Sequence, residues 1–263
     1  MSPDLAFLLS LALRMAITAA FVIAASIITE RSGPVIGALV ATLPVSAGPS
    51  YIFLALDHGA DFVADAALAG IPMNAATIFA GLAYVLLAQR ASTLVSVAGA
   101  VGVWLISALA TRAAPATLLG GIAVNLIAFA VCLPLVQRFR SAKMPPIARR
   151  WYDMPVRAAL VATLVATVVT LSNIVGAKIS GIITLFPVVF TSLMLILQPR
   201  IGGKPTAAVI ANGLWGLVGF GMAVMVLHLG AKYLGAVAGL SLGLATCVTW
   251  NLGLWAYGRR KRA

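Results

Sequence analysis

Pro44 and Pro187 each lie well inside a long apolar run. A proline there removes one backbone hydrogen bond, clashes with the preceding turn and frees a carbonyl. In lipid such groups must find a cavity, a water or a neighbouring polar side chain. Uncharged polar residues lie in the same runs or the next: Thr42, Ser46 and Asn74 around the first proline, Thr184, Thr191 and Asn212 around the second. These eight residues are the expected lining of a solute site near mid-membrane, with the two prolines facing one another. A packing kink and hydrogen bonds between helices are the plainer uses of the same residues.

Charge is scarce and peripheral. Arg14, Asp57, Arg157 and Arg200 fall toward the ends of apolar runs and are the expected mouth or gating charges. No Asp, Glu, Lys or Arg occupies the centre of a run. A cation would find no counter-charge there, so a neutral or anionic solute is expected, and proton coupling through a buried carboxylate is disfavoured. His58 and His228 read as interfacial. Asn125, Asn251, Trp215 and Trp250 also lie inside runs, as helix cross-links or cavity walls. Cys132 and Cys247 read as small packing residues, with no disulfide framework or CxxC pair. No HExxH, GxSxG or Walker pattern occurs, so neither an enzyme nor a metal or organic cofactor is expected.

The elements carrying these residues follow from composition. Of 263 residues, 62% are hydrophobic and 9% charged, and the mean hydropathy is +1.08. Soluble domains carry about 25% charge. Runs of about 20 apolar residues match a bilayer core of roughly 30 Å. The bilayer is thus the first expected partner. The net charge of +12 sits between the runs, as beside membrane spans, and nucleic acid is not an expected partner.

Nine spans are expected, at 8–29, 34–56, 66–88, 93–111, 116–137, 157–175, 179–198, 206–229 and 234–257. Continuous apolarity selects helices over a barrel of alternating strands. The opening Met-Ser-Pro-Asp lacks a basic region, so the first run is expected as a retained helix with Ser2 as N-cap and Pro3 in its first turn. Fourteen of the 18 Lys and Arg residues fall on the side of the C-terminus and of the basic stretch after Arg138. The positive-inside rule then puts the N-terminus outside and the C-terminus in the cytoplasm, in the inner (plasma) membrane.

Sliding the chain by 143 positions aligns Arg14 with Arg157, Gly33 with Gly176, Pro44 with Pro187, Gly59 with Gly202 and Gly70 with Gly213. Spans one to four meet spans six to nine, and an odd number of crossings between equivalents inverts one half. The expected fold is an all-α polytopic membrane protein of about nine transmembrane helices. It is an inverted repeat of four plus four helices joined by one linker helix, with the repeats at 1–112 and 157–263 and the linker helix and basic loop at 113–156. Such symmetry is common in secondary transporters.

The segment Ile179-Ser-Gly-Ile-Ile-Thr-Leu-Phe-Pro187, then Arg200 and Thr206-Ala-Ala-Val-Ile-Ala211 leading to Trp215, resembles the GlpM-like family of small four-helix inner-membrane proteins. Val35-Ile-Gly-Ala-Leu-Val-Ala-Thr-Leu-Pro44 is a weaker copy, and Asp57 stands where the second half has Arg200. The resemblance implies a fused, fixed-orientation version of an antiparallel pair of such chains and names no substrate. Two functions are therefore expected in turn. The first is a transporter or channel-like protein for a small neutral or anionic solute. The alternative is a non-transporting membrane partner of an envelope or polysaccharide assembly system.

Overall fold

The computed structural model describes residues 3–31, 44–113, 116–142 and 150–260. Ser2, Gly33 and Thr42 lie outside the described residues. Among those described there are ten helices and no strand. They are α1 (Pro3–Arg31), α2 (Ala47–His58), α3 (Ala60–Leu87), α4 (Thr93–Ala113), α5 (Leu118–Gln137), α6 (Asp153–Thr184), α7 (Val188–Ile201), α8 (Gly203–Gly213), α9 (Gly216–Leu234) and α10 (Ala236–Arg260).

Among the described residues, seven helical segments are long and apolar enough to cross a membrane: Phe7–Ala24, Ala60–Leu87, Thr93–Ala113, Leu118–Gln137, Asp153–Thr184, Gly203–Leu234 and Ala236–Tyr257. The span expected at 34–56 lies in part outside the described residues, and of it α2, with 12 residues, is described. The span expected at 179–198 differs, being divided between the end of α6 and α7. The boundary expected near residue 176 is a kink rather than a loop, because Gly176 takes φ 72° and the helix resumes beyond it. That backbone conformation favours glycine.

α3 is the most deeply buried span and packs against α4, α5, α6, α8 and α9. Its middle is built from Ala64, Ala66, Ala67, Ala69 and Gly70, all buried. Small residues let backbones approach, which drives association where lipid is as apolar as the core. Gly181 of α6 lies on the Ala66 backbone, and Gly203 of α8 lies on the Ala88 backbone. Large side chains point outward instead, among them Leu119 and Leu126 on α5 and Ile106 and Leu109 on α4. Small residues sit at the close helix contacts, beside fully buried larger ones such as Tyr84, Ile71 and Met73.

Candidate functional site

The α6–α7 junction is an interruption inside an apolar segment. Leu185 N and Phe186 N close the end of α6 on Ile182 O and Ile183 O, at 3.3 and 3.0 Å. Val188 N, which an unbroken helix would direct at Thr184 O, bonds Phe186 O at 2.8 Å. With φ −78° and ψ 59°, Pro187 is the centre of an inverse γ-turn. The proline therefore starts a helix rather than kinking one. Pro44 stands likewise just ahead of α2, and Gly48 N bonds its carbonyl at 2.8 Å as Thr191 N bonds that of Pro187 at 2.9 Å.

A small cavity of about 10 Å³ lies beside the second break, lined by Pro187, Phe190, Thr191 and Met194 of α7, Thr77, Ala80 and Gly81 of α3, and Ala100 and Val101 of α4. That is room for about one water. The hydroxyls nearby are turned onto their own helices: Thr77 donates to Met73 O, Thr184 to Ser180 O and Thr191 to Pro187 O. Two other buried donors have no partner among the described residues. Trp104 Nε1 is one, and its indole sits edge-on to Phe186 at 5.0 Å. The other is the Tyr51 hydroxyl, which lies at Gly70 together with the Leu185 side chain. Consecutive residues of the break are thus flanked by unpaired N–H and O–H groups.

Asn74 stands at the centre of the bundle, 1% exposed. Its amide donates to Asn125 Oδ1 at 2.8 Å and to Leu217 O at 3.1 Å. Asn125 donates in turn to Ile71 O and Gly121 O, both at 2.8 Å. Asn74 Oδ1 has no partner among the described residues. Asn212 is elsewhere, exchanging hydrogen bonds with Arg140. Ser46 precedes α2 without capping it, and its carbonyl accepts from Ser50 Oγ at 3.3 Å.

The end charges form two pairs. Arg14 of α1 is bidentate to Asp57 of α2, with Nη2 to Oδ1 at 2.6 Å, and lies 5.4 Å over the Phe53 ring. Arg200 of α7 is bidentate to Asp153 of α6 at 2.7 and 2.5 Å, and lies 5.2 Å over the Tyr152 ring. A hydrogen bond from Arg150, with Arg200 adding to it, holds the Tyr152 phenol below its usual range. The two pairs are far apart. His58 Nε2 and Ser172 Oγ meet at 2.8 Å, and Ser172 lies about 28 Å along α6 from Asp153 at 1.5 Å per residue.

The expected set is therefore only partly assembled. Pro187 and Thr191 share the cavity. Pro44 does not line it, and Asn74 and Asn212 sit in separate networks. Arg14 joins Asp57 directly, whereas Arg200 joins Asp153, a residue outside the expected set. The signal for Asp153 was an acid one helical turn before Arg157 within a basic stretch, the spacing at which side chains stack on one helix face. Thr77, Tyr51 and Trp104 carried no signal beyond being polar groups in apolar runs.

Helices of this length and apolarity, packed through small residues with Leu and Ile outward, define a multi-pass helical membrane protein. Comparison with protein-family models, curated proteins and solved structures returned no match.

Proposed function

We propose that the protein carries a small neutral or anionic solute across the inner membrane by alternating access. The observation that carries this reading is the α6–α7 interruption flanked by two buried, unpaired donors. Interrupted helices at membrane depth are tolerated where they are buried in protein or line a cavity. Donors without a nearby carboxylate suit a solute that accepts hydrogen bonds. The cavity of about 10 Å³ fits an occluded state rather than an open channel.

The inverted repeat and the GlpM-like resemblance belong to the same proposal. Helices α4 and α10 start 143 positions apart, at Thr93 and Ala236, as do α3 and α8, at Ala60 and Gly203. Gly59 and Gly202 have φ of 84° and 85°. Asn74 bonds its own equivalent, Leu217, as residues beside a two-fold axis do. Helix α5 has no equivalent and serves as the inverting linker. Basic-residue counts support an external N-terminus and a cytoplasmic C-terminus.

The test is flux in proteoliposomes, with a panel of labelled polyols, urea, small carboxylates and inorganic anions. Uptake of at least one solute is expected, reduced about tenfold or more by Trp104→Phe if the indole N–H is spent on the transition between states. A panel that stays at the empty-liposome rate for every solute overturns the reading. The small size of the cavity beside the break, about 10 Å³, favours the non-transporting partner role as the second reading. Co-purification of an envelope-assembly protein from cross-linked membranes, together with a silent flux panel, would support it.

A further inference from the structure

We propose that Arg14–Asp57 and Arg200–Asp153 are opposing latches of one transport cycle, each closing its own end of the molecule. This deepens the transport reading and rests on it. Each pair ties a long helix to a short one. α2 (Ala47–His58) follows Pro44 and carries Asp57, and α7 (Val188–Ile201) follows Pro187 and carries Arg200, so each short helix has a proline just before its start and an ion pair near its end. Past each pair comes a glycine with positive φ, Gly59 or Gly202, and nothing lies within 4 Å of where a Cβ would stand on either. The short helices are levers with a pivot at both ends.

The two latches have the same chemistry with the charges exchanged. In both, the helix that supplies the carboxylate also supplies the aromatic ring under the guanidinium, Phe53 beside Asp57 and Tyr152 beside Asp153. The arginine comes from the long helix in one and the short helix in the other. Position 200 falls on Asp57 under the 143-residue shift, and position 157 on Arg14. Two arginines would thus oppose each other in the second half, and Asp153, one turn before Arg157, lies between them. His58 bonded to Ser172 and Gln198 bonded to Tyr84 are the secondary ties of α2 and α7. The side chains of the pairs are 20% and 22% exposed at one end and 14% at the other, so each is shielded yet reachable once its lever swings. Both pairs are closed here, and the cavity beside the second break is about 10 Å³.

The test uses the full chain with Cys132 and Cys247 replaced by alanine and one reporter, Thr184→Cys, beside the break. A membrane-impermeant thiol reagent is applied to right-side-out and to inverted vesicles. Asp57→Asn is expected to speed labelling from the Asp57 end by about tenfold, within the coupling range of two-state proteins, and to leave the other side unchanged. Arg200→Gln is expected to do the converse. The exchanged double variant, Arg14→Asp with Asp57→Arg, is expected to restore the slow rate, which also shows that the chain still folds. Labelling that rises equally from both sides, or not at all, in a folded single variant overturns the latches. One-sided labelling with a silent flux panel would keep the latches and sink the solute reading.

Discussion

The segments Ala60–Leu87 and Gly203–Leu234 each follow a glycine of positive φ and each cross the bundle, yet the first is one helix and the second is two. Proline is not the difference. Pro72 lies inside the unbroken α3, while the α8–α9 junction at Leu214–Trp215 contains none. What differs is where polar groups are supplied. At Pro72 the carbonyl left without its amide is that of Leu68, and α5 packs onto the turn itself, with Gly121 against Ile71 and Pro72 and Asn125 adding a bond to Ile71 O. At the α8–α9 junction the outside partners pull the turn apart. Trp250 Nε1 bonds Trp215 O at 3.2 Å, Arg140 holds Asn212 and stacks on Trp215 at 5.4 Å, and the backbone tightens to Leu217 N on Leu214 O and Val218 N on Trp215 O. The contrast lies in what the neighbouring helices place against the weak turn.

The comparison breaks most severely at the contact between the two segments. Gly203 meets the Ala88 backbone with no room for a Cβ, and backbone cannot step aside as a side-chain end can. Gly203→Ala is expected to cost about 3 kcal/mol, the upper part of the overpacking range, seen as loss of the monodisperse peak in detergent. A melting temperature within a degree or two of the parent would refute the tight contact. The glycines that lead into the two segments come next. Gly59→Ala and Gly202→Ala each force a side chain into a conformation costing about 1–3 kcal/mol. With open space at both, the two losses should agree within about 0.5 kcal/mol. Unequal thermal shifts would show that the two glycine turns are not equivalent.

Asn125→Leu tests the support of Pro72 directly. It removes the second donor from Ile71 O and leaves Asn74 with Leu217 O alone, for an expected loss of about 1–2 kcal/mol. Spin labels at the exposed ends of α3 should then report a new bend. An unchanged distance distribution would mean that α3 is kept straight by packing alone.

These contrasts also explain how much of the molecule is legible in its sequence. Helix class and the seven long apolar segments follow from composition, because lipid leaves the backbone no other partner. Pro44 and Pro187 were legible as breaks, yet their meaning was not. A residue's sequence does not say whether its neighbours will mend a turn, so Pro72 and Pro187 look alike until Asn125 and the γ-turn are placed. Arg14 with Asp57 was visible as charges near run ends. Asp153 was hidden among basic residues, and Tyr51 and Trp104 lost their partners only through tertiary packing.

The smallest expected effect is the most informative about the α8–α9 break. Trp250 lies across Gly219 and gives its N–H to Trp215 O. Trp250→Phe keeps an aromatic ring over that glycine and removes the donor alone. Hydrogen bonds between membrane helices average about 0.6 kcal/mol, so the melting temperature should fall by only a few degrees or less. The carbonyl of Trp215 would then be free to accept Gly219 N more fully, and the junction should straighten toward the continuous form of α3. Amide hydrogen exchange reads this at Val218 and Gly219, where slower exchange than in the parent is expected despite the lower stability. Faster exchange at both would mean that Gly213 and Gly216 break the helix unaided. The outside partners would then be consequences of the break, and the contrast with Pro72 would lose its cause.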